Sequence, residues 1–488
     1  MTAPLLLCVV LVYFALLLGV AWFASRGADN ESFFVGNRSS NWLLVAFGMI
    51  GTSLSGVTFI SVPGAVGATQ FSYFQIALGQ MIGYAVIAFV LLPLYYRLRL
   101  TSIYHYLGER LGPRSYRTGA SFFIISRTLG ATARLYLVVR ILQDAILDSF
   151  GLPFWLTTAV LLVMILLYTF EGGVKTIVWT DTLQTAGMLT GLVVCLVWLM
   201  QSMGLDFSGA ATALSDNGLS KVFVTEPDSR LFWGKQLLAG ACIAIAMTGM
   251  DQEMMQKNIS VKRLADSQKN IVLMSIIMLG VVLLFLVLGG LLQIYAQQHG
   301  IMARGDALFP TVVLQHLPAV VQLIFIVALI SALFPSADGA ITALTSSFCI
   351  DLLGLQRRDD WTEARKKQVR QRVHLGFAAL FLVLVLVFRW VDNPSMIGLI
   401  LKLAGYTYGP LLGLFAFGML TRRSVKDPLV PVVALAAPLL CWIVDSQQKA
   451  LFGGYELGLE LLVLNAGLTF AGLMAVSRKV PTVQSKRN

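Results

Sequence analysis

Apolar stretches of about 20 residues recur along this chain from one end to the other, separated by short polar segments. Coiled as a helix, such a run matches the roughly 30 Å hydrocarbon thickness of a bilayer and satisfies every backbone N–H and C=O internally. A β-barrel would instead alternate over segments of roughly ten residues, and no such alternation is visible. Charged residues make up 12% of the chain, against about 25% in soluble domains. The chain therefore reads as an all-α, polytopic membrane protein, a single integral unit over 1–488 with no separate soluble domain.

Thirteen spans are expected, at 4–24, 42–62, 71–93, 118–148, 154–169, 177–200, 233–256, 270–295, 316–350, 373–390, 394–420, 428–446 and 456–477. Of the 36 Lys and Arg residues, 26 fall in alternate segments assigned to one side, among them 94–117, 257–269 and 351–372. Only 6 (Lys221, Arg230, Lys235, Arg304, Arg389 and Lys449) fall on the other. Basic segments stay in the cytoplasm, so the N-terminus is expected outside, the C-terminus inside, and the protein in the plasma (inner) membrane. Residues 4–24 have no positive charge before them and Arg26 after, which fits an uncleaved helix better than a signal peptide.

The net charge of +11 thus reflects loop placement, and nucleic acid is not implied. The basic segment 356–372 reads as a solvated cytoplasmic helix beside anionic lipid. Five cysteines show no CxxC spacing, and four histidines form no metal-binding spacing. Without a nucleophile–base pair or a phosphate loop either, an enzyme is not expected.

Two of the apolar runs are interrupted. GTSLSGVTFISVPG (Gly51 to Gly64) and AIAMTGMDQ (Ala244 to Gln252) place glycines and hydroxyls at mid-membrane depth. Broken backbone there is tolerated where it lines a cavity, and broken helices are how secondary transporters expose carbonyls to cations; a small-residue packing face is the other reading. Five spans separate the two interruptions, as expected for inverted repeats at 42–200 and 233–420, flanked by an extra helix at 4–24 and two more in 428–477.

Four segments add a resemblance. GGVKTIVWTDTLQ (Gly172 to Gln184), TGMDQEMMQKNI (Thr248 to Ile259), SALFPSADGAITALTSSFCIDL (Ser331 to Leu352) and GYTYGPLLGLFAFGML (Gly405 to Leu420) occur in that order. Over 42–420 the chain resembles the sodium:solute symporter family, whose fold is similar to the LeuT-like five-plus-five inverted repeat. The resemblance implies sodium-coupled symport of a small organic solute by alternating access, with Na+ as the coupling ion. It implies a sodium site made by the carbonyls of Gly51 and Leu54 and by Ala332, Pro335 and Ser336 of the eighth core helix. Many members carry a hydroxyl where this chain has Pro335. Some hold a second sodium at the equivalents of Ala332, Pro335 and Ser336 with the aspartate of WTD, here Asp181. Of those three eighth-helix positions only Ser336 keeps a hydroxyl. Asp338 is an extra acid in the same helix, able to complete a cation site, carry a proton or pair with a neighbour.

Arg127 and Arg134 lie seven residues apart and share one helix face. A guanidinium at this depth costs at least about 2.5 kcal/mol unless it is paired or reaches water, and its planar fork suits a carboxylate. Some members that carry acidic sugars set an arginine of this helix against the substrate. Arg134 is the better placed for that role, the alternative being a structural arginine bound to carbonyls or to Asp338. Thr52, Ser53, Ser55, Thr58, Gln75 and Gln80 would supply neutral hydrogen bonds. The asparagine and aromatic gate of sugar-carrying relatives become Ala244 and Met247, and no lysine occurs in 271–295. A carboxylate-bearing solute (acidic sugar, amino acid or organic acid) is favoured over a neutral hexose. Lys402 is a further substrate contact or a snorkelling lysine, and Tyr406 and Tyr408 gate the site or pack at the interface. Two rivals stay open: a proton-coupled carrier using Asp338 or Asp181, and a solute sensor that does not transport. Solute, sodium and lipid bilayer are the partners called for; no protein partner is evident.

Overall fold

The computed structural model describes residues 3–24, 40–169, 173–391, 395–453 and 455–479. Most of the predicted inside loop 25–41, Gly172 of the glycine–glycine motif and the basic segment 480–488 lie outside them. The helices that matter run α1 Ala3–Ala24, α2 Trp42–Thr69, α3 Tyr73–Val86, α4 Pro113–Leu142, α5 Phe154–Thr169 and α6 Gly173–Ser202. They continue with α7 Trp233–Ala244, α8 Gln252–Ile259, α9 Leu264–Gln298, α10 Ala319–Ser347, α11 Glu363–Val391 and α12 Met396–Thr407. The last are α13 Gly409–Leu420, α14 Val430–Ser446 and α15 Leu461–Ala475.

Among the described residues nine helices are long and apolar enough to cross a membrane, or ten if α12 and α13, bent by 46°, make one span. Two shorter apolar helices, α5 and α15, accompany them. Every one of the thirteen predicted spans overlaps one or two of these helices. Length and apolarity alone do not reach thirteen, because α5 and α15 are short and 233–256 is divided between α7 and α8.

Local chemistry sets several ends. Asn41 caps α2, its side chain accepting from the Leu43 N–H at 2.9 Å. At the start of α4, Pro113 occupies a position that needs no N–H. The exposed amides behind it are met from far along the chain: Asp427 accepts from the Arg114 and Ser115 N–H groups, each at 2.8 Å. A carboxylate at a helix N-terminus also complements the helix dipole. Two short strands, β1 Arg423–Val425 and β2 Ser477–Lys479, pair antiparallel and tie the end of α13 to the end of α15.

The core is built on close crossings of α6 with α10, α9 with α2, and α7 with α3. Lipid tails are as apolar as leucine, so helix association there depends on close backbone approach. On α3 a Cβ added at Gly79 would lie 2.9 Å from the Leu237 carbonyl carbon, and one at Gly240 would lie 3.1 Å from that of Ile76. Backbone cannot yield as a side chain can. Gly79→Val is expected to cost about 1–3 kcal/mol or more, read as a lower melting temperature and loss of the monodisperse peak in size-exclusion chromatography.

Both predicted interruptions are real breaks. Within α2, Ser55 has φ 51 and ψ 167, a left-handed position that divides the helix into two halves. For a non-glycine residue this costs of order 1–3 kcal/mol and persists only when packing enforces it. Between α7 and α8 a π-turn over Ile245–Gly249 gives way to extended backbone at Asp251 (φ −96, ψ 123). The orphaned carbonyls are not left bare: the Tyr95 hydroxyl donates to Gly249 O and the Tyr104 hydroxyl to Met250 O, both at 2.9 Å. Asp251 then caps α8 through the Glu253 and Met254 N–H groups.

Candidate functional site

A cavity of about 90 Å³ opens beside the break in α2. Thr52, Ser53, Ser55 and Thr58 line it from α2, Gln80 from α3, Arg127 and Arg134 from α4, and Met247 from the second break. Eight of the ten predicted substrate residues thus share one space. Tyr73, Tyr84 and Thr248 add polar atoms, while Met278, Ile397 and Leu401 supply apolar wall.

The two arginines have different surroundings. Arg127 is 4% exposed and committed: one terminal nitrogen pairs with Glu253, and Nε lies 3.8 Å from Asp251. Arg134 is half-buried and faces the cavity, and among the described residues it makes no hydrogen bond or ion pair. It is a cation awaiting a partner.

Glu253 also accepts from Lys257 at 3.1 Å, and the Lys257 ammonium lies 2.7 Å from Asp181 Oδ2 and 2.8 Å from Thr52 Oγ1. Thr52 itself donates to Asp181 Oδ2 at 3.1 Å. A continuous ion-paired chain therefore runs Asp181–Lys257–Glu253–Arg127, with Lys257 only 2% exposed. Glu253 and Lys257 escaped the sequence reading, which assigned Lys257 to a cytoplasmic loop. The signal was present: Glu and Lys at i and i+4 occupy one helix face.

Two of the predicted substrate residues lie outside the cavity lining. Gln75 is fully buried away from the cavity: its amide donates to Ser72 O and Leu231 O, each at 3.1 Å, and its oxygen accepts from Val224 N–H at 3.3 Å. It clamps the loop before α7 to α3. Gln75→Ala is expected to lower the melting temperature by several degrees while leaving the affinity for solute unchanged, measured by thermal unfolding beside a binding isotherm. Lys402 also lies off the cavity, 2.9 Å from Asp445 of α14, which accepts in addition from the Tyr406 hydroxyl at 2.6 Å and the Gln448 amide at 3.4 Å. Tyr408, by contrast, is buried and donates to Asp251 Oδ2 at 3.2 Å. Asp338 has its oxygens met by the Tyr168 hydroxyl at 2.8 Å and by the Gly339 N–H.

The predicted cation residues sit where α2 approaches α10. The break at Ser55 makes Gly51 to Leu54 the last turn of the first half-helix. Carbonyls of a last turn lack intrahelical partners and carry the negative end of the dipole. A Cβ at Gly56 would lie 3.5 Å from Ala332 O, which brings the α10 backbone to the same place. Pro335 supplies no hydroxyl, but lacking an N–H it releases the carbonyl four residues earlier, at Ser331. Ser336 Oγ donates to Leu333 O at 2.8 Å and keeps its lone pairs for a cation. Hard oxygen donors of this kind suit sodium.

Half-helices meeting at a polar cavity inside a bundle of membrane-length helices define a secondary membrane carrier. The sequence profile of the sodium:solute symporter family matches residues 33–427, and the chain belongs to that family. It is 22% identical over 463 residues to the sodium/sialic acid symporter NanT of Aliivibrio fischeri, covering 92% of this chain and 89% of that one. To the human sodium-coupled monocarboxylate transporter 1 it is 25% identical over 82% of this chain and 66% of that one. Its fold superposes with a TM-score of 0.82, at 18% identity over 97% of this chain and 99% of the other, on a substrate-bound, outward-open Na+-coupled sialic acid symporter. The protein is therefore a multi-pass, sodium-coupled solute symporter of LeuT-like fold, not an enzyme.

Proposed function

We propose that the symported solute carries a carboxylate and that Arg134 receives it. One observation carries this reading: Arg134 faces the cavity with no hydrogen bond or ion pair among the described residues, while Arg127 seven residues earlier is neutralised by Glu253. A desolvated guanidinium without a counter-ion is costly, and a bidentate anion relieves that cost. Thr58, Ser53 and Gln80 supply neutral hydrogen bonds around it, and Met247 supplies an apolar wall. Relatives named for sialic acid and for monocarboxylates share the acidic group. At about 90 Å³ the cavity is below the roughly 300 Å³ of a typical ligand pocket, so a larger solute requires it to widen.

Sodium at the Gly51–Leu54 carbonyls, Ala332 and Ser336 stabilises the break in α2, which also shapes the cavity beside Thr52 to Thr58. Solute and ion then strengthen each other's binding reciprocally. The units 42–200 and 233–420 rock about this point to alternate access, with the N-terminus outside and the C-terminus in the cytoplasm across the plasma (inner) membrane.

Thermal unfolding of the detergent-purified protein in sodium and in choline, against carboxylates and their amides, tests the reading. A carboxylate is expected to raise the melting temperature in sodium and its amide is not. Equal shifts from acid and amide would sink the Arg134 assignment.

A further inference from the structure

We propose that the ammonium group of Lys257 is a built-in cation that occupies the carboxylate of Asp181, so that the transport cycle is coupled to one sodium ion and not two. This rests on the sodium-coupled reading above and extends it to stoichiometry.

The ammonium sits among three oxygens from three elements: Asp181 Oδ2 of α6 at 2.7 Å, Thr52 Oγ1 of α2 at 2.8 Å and Glu253 Oε1 of α8 at 3.1 Å. A lysine has three N–H donors, and all three are used. The site is closed, with the Lys257 side chain 3% exposed and Asp181 fully buried. Thr52 belongs to the last turn of the first half-helix, the same carbonyl-rich end that offers itself to sodium. The tethered charge therefore lies next to the place of the free one.

A second mobile cation at Asp181 would meet two obstacles. It would sit within a few ångströms of an ammonium in a poorly solvated interior, where like charges repel strongly. It would also find, at the three α10 positions named above, the side-chain oxygen of Ser336 alone. Ala332 and Pro335 have none, and both Asp338 oxygens are already engaged by Tyr168 and Gly339. Asp181 Oδ2 is taken up by both Lys257 and Thr52, while Oδ1 has no hydrogen bond among the described residues, so the lysine is the one cation seen on this carboxylate there. Because Lys257 is covalently part of α8, its charge returns with every cycle and no ion is released in its place. Glu253 links it onward to Arg127 at the cavity wall.

Binding of sodium-22 to the purified full-length protein, counted per chain at saturation by scintillation proximity, tests this without knowledge of the solute. Wild type is expected to bind one ion. Lys257→Met empties the position beside Asp181 and is expected to bind a second, weaker ion. Lys257→Arg keeps the charge and stays at one, and the Asp181→Asn/Lys257→Met double variant returns to one. Two ions in wild type overturn the proposal, as does a folded Lys257→Met protein that still binds one. The wild-type count decides the matter if Lys257→Met does not fold. Wild type that binds no sodium at all would instead overturn the sodium-coupled reading beneath it.

Discussion

Replacing Arg134 by alanine is expected to weaken binding of the carboxylate solute by about 100-fold or more while leaving the protein folded. Losing one partner of a desolvated, hydrogen-bonded charge pair costs about 2–5 kcal/mol of binding, and each 1.4 kcal/mol is tenfold. The fold is spared because Arg134 pairs with no described residue; its removal orphans nothing and relieves the cost of a half-buried charge. Arg134→Lys is expected to fall between, keeping the charge but not the planar fork. The same change at Arg127 has the opposite profile. It leaves Glu253 short of a partner, so stability falls first and binding only as a consequence. Paired isotherms and melting curves for the two variants separate a substrate-binding arginine from a structural one.

The second large effect is expected at Glu253. Its carboxylate is shared between Arg127 and Lys257, is 2% exposed, and joins α4 to the broken segment of α8. Removing one member of a buried ionic group leaves uncompensated charge, typically at about 3–5 kcal/mol. Glu253→Ala takes a partner from both cations at once, leaving Lys257 with Asp181 and Arg127 with Asp251 at 3.8 Å. Packing makes an independent check available. A Cβ built on Gly339 would run into the Glu253 carboxylate, so Gly339→Ala is expected to push it off its partners and lower stability in the same direction. Melting temperatures of the two variants falling together would establish the Glu253 junction. An unchanged melting temperature for Glu253→Ala would show that it contributes nothing.

Which features were legible in the sequence follows from the range of the physics that makes them. The spans, the two breaks and the shared face of Arg127 and Arg134 are local: they follow from apolar run length, from glycine and hydroxyl content, and from helical period. Which residue breaks α2 was not legible, because several glycines and hydroxyl residues lie between Gly51 and Gly64 and only packing selects Ser55 for the left-handed position. The place of Gln75 was not legible because its partners, Val224 and Leu231, lie about 150 residues away in a loop whose docking leaves no local mark. Lys402 is the same case, its partner Asp445 lying on a separate helix, α14. Lys257 was hidden by its position at the edge of an apolar run. Charge counting assigns such a lysine to a loop, whereas Asp181 and Glu253 hold it inside.

Uptake into proteoliposomes tests the central claim most directly. With an inward sodium gradient, a labelled carboxylate should accumulate above its equilibrium level, and collapse of that gradient should abolish the accumulation. The Arg134→Ala protein, equally folded, should accumulate none. Accumulation that a proton gradient drives in choline, or that Arg134→Ala leaves intact, would contradict a sodium-coupled carboxylate symporter built around this arginine.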